Sequence, residues 1–498
     1  MTPVLLALAF DTHPFDLFRV ERPDVSGAET CSSRACVTLT PPTDGTPWTP
    51  EEVPHTDGWP VVEALDALGV QPWHDAGIRG AGVRIAVFDI AWFGSEVDPQ
   101  VLDEVSTHDC FAHPSCEVPM DTSSARFSFE TGTHGFACAE IVREILPEAD
   151  LHLVRANGTV ALENAIDWAI RADVDIVSMS MSFFNTSFYD GRGKVSEAVA
   201  RLAEHDIQLV TSAGNTADRH WWGRYVDADH DGRMDFEGKN WLDVYQPAGA
   251  KRGIYVNWNE FGVCGTSDLD AWLVSESGVV VGRSEVRQSS DGDSCSPVER
   301  LTGTVDEAGW YRLIVFGRRV AAASLDVDIT ATAGTVDPIR PEHSIVDPGV
   351  SPHALTVGAV RASDYLRGDV EDFSSRGPSW AGLPKPDIVG PNGLSTSTYG
   401  PAGFFGTSAA TPAVAGAVGL VLSREPELGA IGAARKLRAA ALRDEPLFSA
   451  PNPRWGAGKA RLFPLDATSS PCGQRPLRSF LFAPILLAIT RRRRGSRR

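Results

Sequence analysis

The sequence predicts an α/β fold: a mostly parallel sheet with helices on both faces, interrupted by a small all-β sandwich. Three observations carry this expectation. Short apolar runs alternate with amphipathic helical stretches, the pattern of βαβ units. That rhythm breaks between Asp218 and about Ile339, where Trp-, Asp- and Gly-rich segments with turn signals take over. The 498 residues, 43% hydrophobic and 22% charged, exceed one ordinary core and suit a globular chain of two folded domains with processed ends.

Residues 1–60 begin with an apolar stretch (MTPVLLALAF) and continue rich in Pro, Thr, Asp and Glu. The start reads either as a signal-like segment without a basic n-region or as an ordinary N-terminus, and the remainder as a leader or pro-segment. From residue 61 the pattern predicts short helices at 61–68 and 73–78, each closed by glycine, then a buried strand at 83–88 ending in Asp89. Further strands are expected at 151–154, 176–180, 209–212 and 355–357, with helices at 135–145, 161–171 and 195–204. The first part of the α/β domain thus spans 61–218 and the second 341–466. Between them, 219–340 offers strand-like runs at 254–258, 269–274, 279–281, 311–315 and 325–329. The runs VNWNEFG, DLDAWLV and GWYRLIVFG there look like prepeptidase-type β-sandwiches.

The formal charge is −20, although six arginines crowd the last eight residues. So acidic a chain argues against nucleic acid as a partner, because phosphate binding needs a basic face. Residues 467–498 contain Cys472-Gly473, a 12-residue apolar run from Ser479 to Thr490, and the arginine cluster. This resembles the tripartite sorting tags of bacterial exported proteins, with transient membrane contact through 479–498; a basic amphipathic tail is the alternative reading. Among eight cysteines, Cys31/Cys36, Cys110/Cys116 and Cys264/Cys295 form local pairs in polar stretches, as in exported proteins. Cys138 lies in an apolar run and is expected to be a buried free thiol. The absence of C-x-x-C spacing excludes a structural zinc site on cysteines.

Four segments carry chemistry: VRIAVFDIA with Asp89, TGTHGFACAEIV with His134, LVTSAGN with Asn215, and GTSAATPAVAGAVGLVL with Ser408. Each residue alone has an ordinary role as a cap or turn residue. Together, in the order Asp, His, Ser, they resemble the subtilisin-like serine proteases (subtilases, peptidase S8 family). FSSRGP, KPDIVGPNG, SPHALTVGAV and WGAGKARL extend the likeness over about 61–218 and 342–465. The resemblance implies a subtilisin-like sheet and an Asp89–His134–Ser408 triad. It also implies that the Asn215 amide hydrogen-bonds an oxyanion. Ser180, Met181, Ser182, Ser212, Ala213 and Gly214 would flank the substrate cleft. A serine hydroxyl needs an adjacent base, and histidine titrates near working pH. Catalysis needs no cofactor. Departures occur at Ile90-Ala91 after the aspartate, at Thr131 and Phe136 around the histidine, and at Ala409 after the serine. None removes a proton-transfer group.

Asp227, Asp229, Asp231 and Asp235 stand at positions 1, 3, 5 and 9 of a loop with Gly232 at 6, a pattern that suits structural Ca²⁺. A twelfth-position glutamate is missing, so a solvated acidic turn is the alternative. The sequence reads as a secreted or cell-surface serine endopeptidase of bacterial type, acting on protein or peptide. A catalytically silent surface-binding protein on the same fold is the other reading. An α/β-hydrolase is excluded, since G-x-S-x-G and the order Ser, Asp, His are both missing.

Overall fold

The computed structural model describes residues 31–32, 35–36, 63–92, 105–120, 132–264, 266–288, 294–321, 324–443 and 452–465. The leader, the C-terminal tail with Cys472, Thr131, and the side chains of Cys31 and Cys36 lie outside this description. The chain divides into two units, Met1–Phe463 and Pro464–Arg498; the architecture below is that of the first. Among the described residues no helix is long and apolar enough to cross a membrane.

A two-strand hairpin, β1 (Cys31–Ser32) and β2 (Ala35–Cys36), precedes helices α1 (Glu63–Leu68) and α2 (Gln71–Asp75). Helix α2 starts and ends earlier than expected. Pro72 sits in its first turn, where its missing N–H is harmless, and a turn after Ala76 stops it.

Seven parallel strands form the central sheet: β3 (Arg84–Asp89), β4 (Ser106–Asp109), β5 (Asp150–Arg155), β6 (Ile176–Met179), β7 (Gln208–Ser212), β17 (Ala354–Arg361) and β18 (Ile388–Asn392). Their order is β18-β17-β7-β6-β3-β5-β4. The chain runs from β3 out to β4 and back to β5, then crosses to β6 on the other side of β3. Strand order therefore reverses at β3, and the crevice beyond the carboxyl ends of strands at such a reversal is where α/β sheets bind ligands. Asp89 ends β3.

Strand residues alternate between the two faces. Ala86, Phe88, Val177, Met179 and Leu209 pack in one cluster with apolar residues of α4 (Gly158–Arg171) and α5 (Lys194–Glu204). On the other side, α3 (His134–Ile145) packs against α6 (Thr407–Arg424), which also contacts β6, β7, β17 and β18 and helix α7 (Gly429–Ala439). Helix α6 is buried from Thr407 to Leu422, and its Ala- and Gly-rich sequence permits this. At Gly416 a side chain would stand 2.8 Å from Ile145 of α3.

Residues 220–337 depart from this pattern. Nine antiparallel strands make two sheets. One has the order β13 (Val298–Gly303), β10 (Arg252–Trp258), β15 (Asp326–Ala331), β8 (His220–Arg224). The other runs β12 (Val280–Ser284), β11 (Asp268–Ser275), β14 (Gly309–Arg319), β9 (Leu242–Gln246), β16 (Thr335–Asp337). Trp221, Val256, Trp258, Leu273, Leu313, Val315 and Ile329 share one core between them. All five expected runs fall on strands; β8, β9, β13 and β16 were not expected. Strand β14 outgrows its apolar run because it pairs with both β9 and β11. Disulfides join Cys110 to Cys116 and Cys264 to Cys295, and Cys138 is free and buried.

The loop entering β17 carries a buried carboxylate. Asp347 is 1% exposed and accepts hydrogen bonds from Thr186 Oγ1 (2.8 Å), Ser187 Oγ and Ser196 Oγ. Burial pushes its carboxyl up to about 6, against the opposing effect of those hydrogen bonds. An unfolded aspartate releases its proton near 3.9, so between about pH 4 and 6 the folded state holds more protons and stability falls as pH rises. Asp347→Asn, which never ionises, is expected to be more stable than wild type at pH 7 by about 1–3 kcal/mol. The gain should vanish below about pH 4. Thermal unfolding of both proteins across pH measures it; a pH-independent difference would refute the assignment.

Candidate active site

Strand β3 delivers Asp89 to the sheet's carboxyl edge, where it is 1% exposed. The chain then turns so that Ile90 N (2.8 Å) and Ala91 N (3.0 Å) both donate to Asp89 Oδ1. The other oxygen, Oδ2, lies 2.7 Å from His134 Nδ1. A carboxylate only accepts, so Nδ1 carries the proton and Nε2 is left as the acceptor. His134 opens helix α3, one residue earlier than its sequence pattern suggests. Gly135 N donates to Ala91 O (3.0 Å), which ties the helix start to the turn after Asp89.

Ser408 is the second residue of α6 and fully buried. Ser408 Oγ and His134 Nε2 are both buried without a hydrogen-bond partner. Buried orphan polar atoms demand an explanation; both belong to residues of the expected triad. Asn215 Oδ1 accepts from Thr407 N and from Thr407 Oγ1, each at 2.9 Å. Its carbonyl end is thereby anchored, which leaves the amide Nδ2 as its donor end. Nδ2 lies against Gly406, where a side chain would come within 2.8 Å of it. Gly406 also has φ of +105°, a conformation that suits glycine.

Ser180 Oγ donates to Ser408 O (3.0 Å), and Gly214 N donates to Thr407 Oγ1 (3.2 Å). The two segments expected to flank the cleft therefore both touch the start of α6. Met181 is buried in the apolar cluster with α4 and α5, and Ala213 packs with Ile345 and Val346. Ser182 and Ser212 are buried, the latter with Oγ unpartnered. The bulky departures sit inward. Phe136 is fully buried, its ring edge-on to Trp92 at 5.3 Å, and Ile90 joins the cluster beneath α4. Ala409 is buried within α6.

Sequence reasoning missed two contributors, Phe404 and Glu140, and foresaw Cys138 as a buried free thiol without its place at the site. Cys138 Sγ lies 3.7 Å from Ser408 O, and within 4.8 Å of the Asp89 and His134 side-chain atoms. Burial, and next the Asp89 charge, push its thiol well above its ordinary value, so it is a protonated filler. Phe404 presents its ring to His134 at 5.5 Å and 83°. Glu140, six residues beyond His134 on α3, is 6% exposed. Its charge within the apolar run CAEIV was the available signal; its partner lies 257 residues away.

In the acidic loop, Asp227, Asp229 and Asp231 bring carboxylate oxygens within 4.8 Å of one another. Asp231 N and Gly232 N donate to Asp227 (3.0 and 3.1 Å), and Asp235 Oδ2 instead accepts from Ala228 N (2.8 Å).

A buried Asp–His pair and a serine at a helix start are thus brought to one end of a parallel sheet, in the chain order Asp, His, Ser. The subtilase family (peptidase S8) matches residues 123–458, and the chain belongs to that family. Asp89 lies upstream of the matched span. The chain is similar to serine protease AprX of Bacillus subtilis, 33% identical over 127 residues, covering 22% of this chain and 28% of AprX. It is also similar to a thermostable alkaline protease of Halalkalibacterium halodurans, 30% identical over 159 residues, covering 30% of this chain and 41% of the relative. The matches thus span less than half the length of either relative. Among solved structures, the CspB protease of Clostridium perfringens shares the fold at TM-score 0.55 and 16% identity, covering 80% of this chain and 97% of that one.

Gly406→Ala is expected to destabilise the fold by more than about 1 kcal/mol, since it combines positive φ with a collision at Asn215. A melting temperature equal to that of wild type would show that the Asn215–Gly406 contact is looser than described.

Proposed function

We propose that the protein is a serine endopeptidase that cleaves protein or peptide substrates through Asp89, His134 and Ser408. The observation that carries this reading is the 2.7 Å Nδ1–Oδ2 hydrogen bond, which leaves Nε2 as the acceptor, with Ser408 Oγ likewise buried and unpartnered. In this reading Nε2 takes the Ser408 proton as Oγ attacks the scissile carbonyl carbon. Asp89 stabilises the imidazolium that forms. The carbonyl oxygen becomes an oxyanion, facing the first-turn N–H groups and positive end of α6 and the Asn215 amide. His134 then gives its proton to the leaving amine, and water releases the acyl group by the same steps in reverse. Ser180–Ser182 and Ser212–Gly214 pair with substrate backbone as an added strand.

A fluorophosphonate probe should label wild type and leave Ser408→Ala unlabelled. Labelling of both, or of neither, would sink the assignment; the second result is what a silent surface-binding protein would give. Asn215→Ala is expected to lower kcat about 10²–10³-fold with little change in KM, a magnitude carried over from an oxyanion-hole asparagine of subtilisin. Steady-state kinetics on peptide substrates reads this directly.

The same reading takes residues 219–340 as an inserted sandwich of prepeptidase type, 1–60 as a leader and 467–498 as a sorting tail on a secreted or surface-associated enzyme. Asp227, Asp229 and Asp231, with Asp235 at ninth position, would hold structural Ca²⁺, because three converging carboxylates repel one another without a cation. Calorimetric titration should show binding that Asp229→Asn weakens. No heat of binding up to millimolar Ca²⁺ would leave the loop a solvated acidic turn.

A further inference from the structure

The imidazole of His134 is held by one protein hydrogen bond, to Asp89, and a single bond leaves a ring free to swing about it. Its second constraint is the Phe404 ring, 5.5 Å away and edge-on. Phe404 ends the hairpin formed by β19 (Leu394–Thr396) and β20 (Gly400–Phe404), immediately before Ser408's helix. A hairpin with strands of three and five residues is marginal by itself. Two carboxylates clamp it. Glu63 of α1 accepts from Ser395 N (2.9 Å) and Ser395 Oγ (2.7 Å) near its base. Glu140 of α3 accepts from Ser397 N (2.6 Å) and Ser397 Oγ at its exposed tip. From that tip the chain places Tyr399 flat on Phe404, at 4.8 Å and 16°. The hairpin therefore meets the histidine's helix at His134 and Glu140.

We propose that Glu140 is a positioning residue for His134, acting through the hairpin: by binding Ser397 to the histidine's own helix it holds Phe404 against the imidazole. This rests on the serine-endopeptidase reading. With Glu140 gone, the Ser397 N–H and hydroxyl lose their acceptor while Glu63 still holds the base. The hairpin stays folded, but its aromatic pair is no longer registered on α3. The histidine must hand one proton from serine to leaving group, and small misplacements of such a group are expensive in rate.

The test uses the full chain as wild type, Glu140→Ala, Glu140→Gln, Phe404→Leu and the double variant Glu140→Ala/Phe404→Leu. Fluorophosphonate titration counts competent sites, so that kcat is expressed per labelled serine. Glu140→Ala should lose about tenfold or more in kcat with KM changed less than about threefold. Glu140→Gln, which keeps one acceptor oxygen for Ser397 N, should recover most of the loss. Phe404→Leu should resemble Glu140→Ala, and the double variant should be no slower than the slower single, as expected of two residues on one route. Unchanged kcat per titrated site in Glu140→Ala overturns the proposal, and so do losses that multiply in the double variant. If wild type itself neither labels nor cleaves, the endopeptidase reading and this inference fall together. An active wild type with an indifferent Glu140 removes the inference alone.

Discussion

The Asp89–His134 hydrogen bond is the contact on which the rest of the site is arranged. A carboxylate buried this deeply is tolerable only when its charge is fully hydrogen-bonded. Ile90 and Ala91 supply two backbone donors to one oxygen, which leaves the other to take the imidazole proton. That assignment settles the tautomer, and the tautomer in turn decides which nitrogen can act as a base. The sheet supplies the location. Strand order reverses at β3, Asp89 ends that strand, and His134 and Ser408 lie at the N-terminal ends of α3 and α6.

Much of this was legible in the sequence because the decisive residues sit at element ends. VRIAVF followed by Asp, and GTS followed by an Ala- and Gly-rich run, announce a strand end and a helix start from local composition alone. The inward placement of Phe136 and Ile90 was not legible, since bulk says nothing about direction until Trp92 and the cluster under α4 are in place. Met181 likewise turns into the core, although its neighbours on either side suggested a cleft wall. Strands β8, β9, β13 and β16 escaped notice because their stability comes from pairing partners distant in sequence. The Glu140–Ser397 and Glu63–Ser395 clamps escaped for the same reason: a lone acidic residue on a helix names no partner until the hairpin arrives from more than 250 residues away.

Polar contacts at the site are unevenly distributed. Asn215, Thr407 and Gly214 form a closed hydrogen-bonded chain at the start of α6. Next to the histidine stand instead an aromatic pair and a thiol: Phe404 is edge-on to the imidazole, Tyr399 stacks on Phe404, and Cys138 Sγ lies within 4.8 Å of the ring's nitrogen. This division is chemically sensible. In the proposed reaction the donors would face the developing negative charge, and the apolar groups beside the imidazole would leave Nε2 without competing hydrogen bonds.

The nine-strand segment leaves the parallel sheet after β7 and returns before β17, and those two strands are neighbours. At the departure point Arg340 N donates to His220 O (2.8 Å), and His220 Nδ1 meets Arg340 O (2.7 Å). The ends are thus stitched side by side, like the neck of a pouch. Beyond the neck, Phe184 stacks on Tyr255, Asn257 donates to the Tyr189 hydroxyl, and Trp380 donates to Asp328. With its ends already together, the pouch could lengthen or shrink at little entropic penalty and without shifting any strand of the parallel sheet.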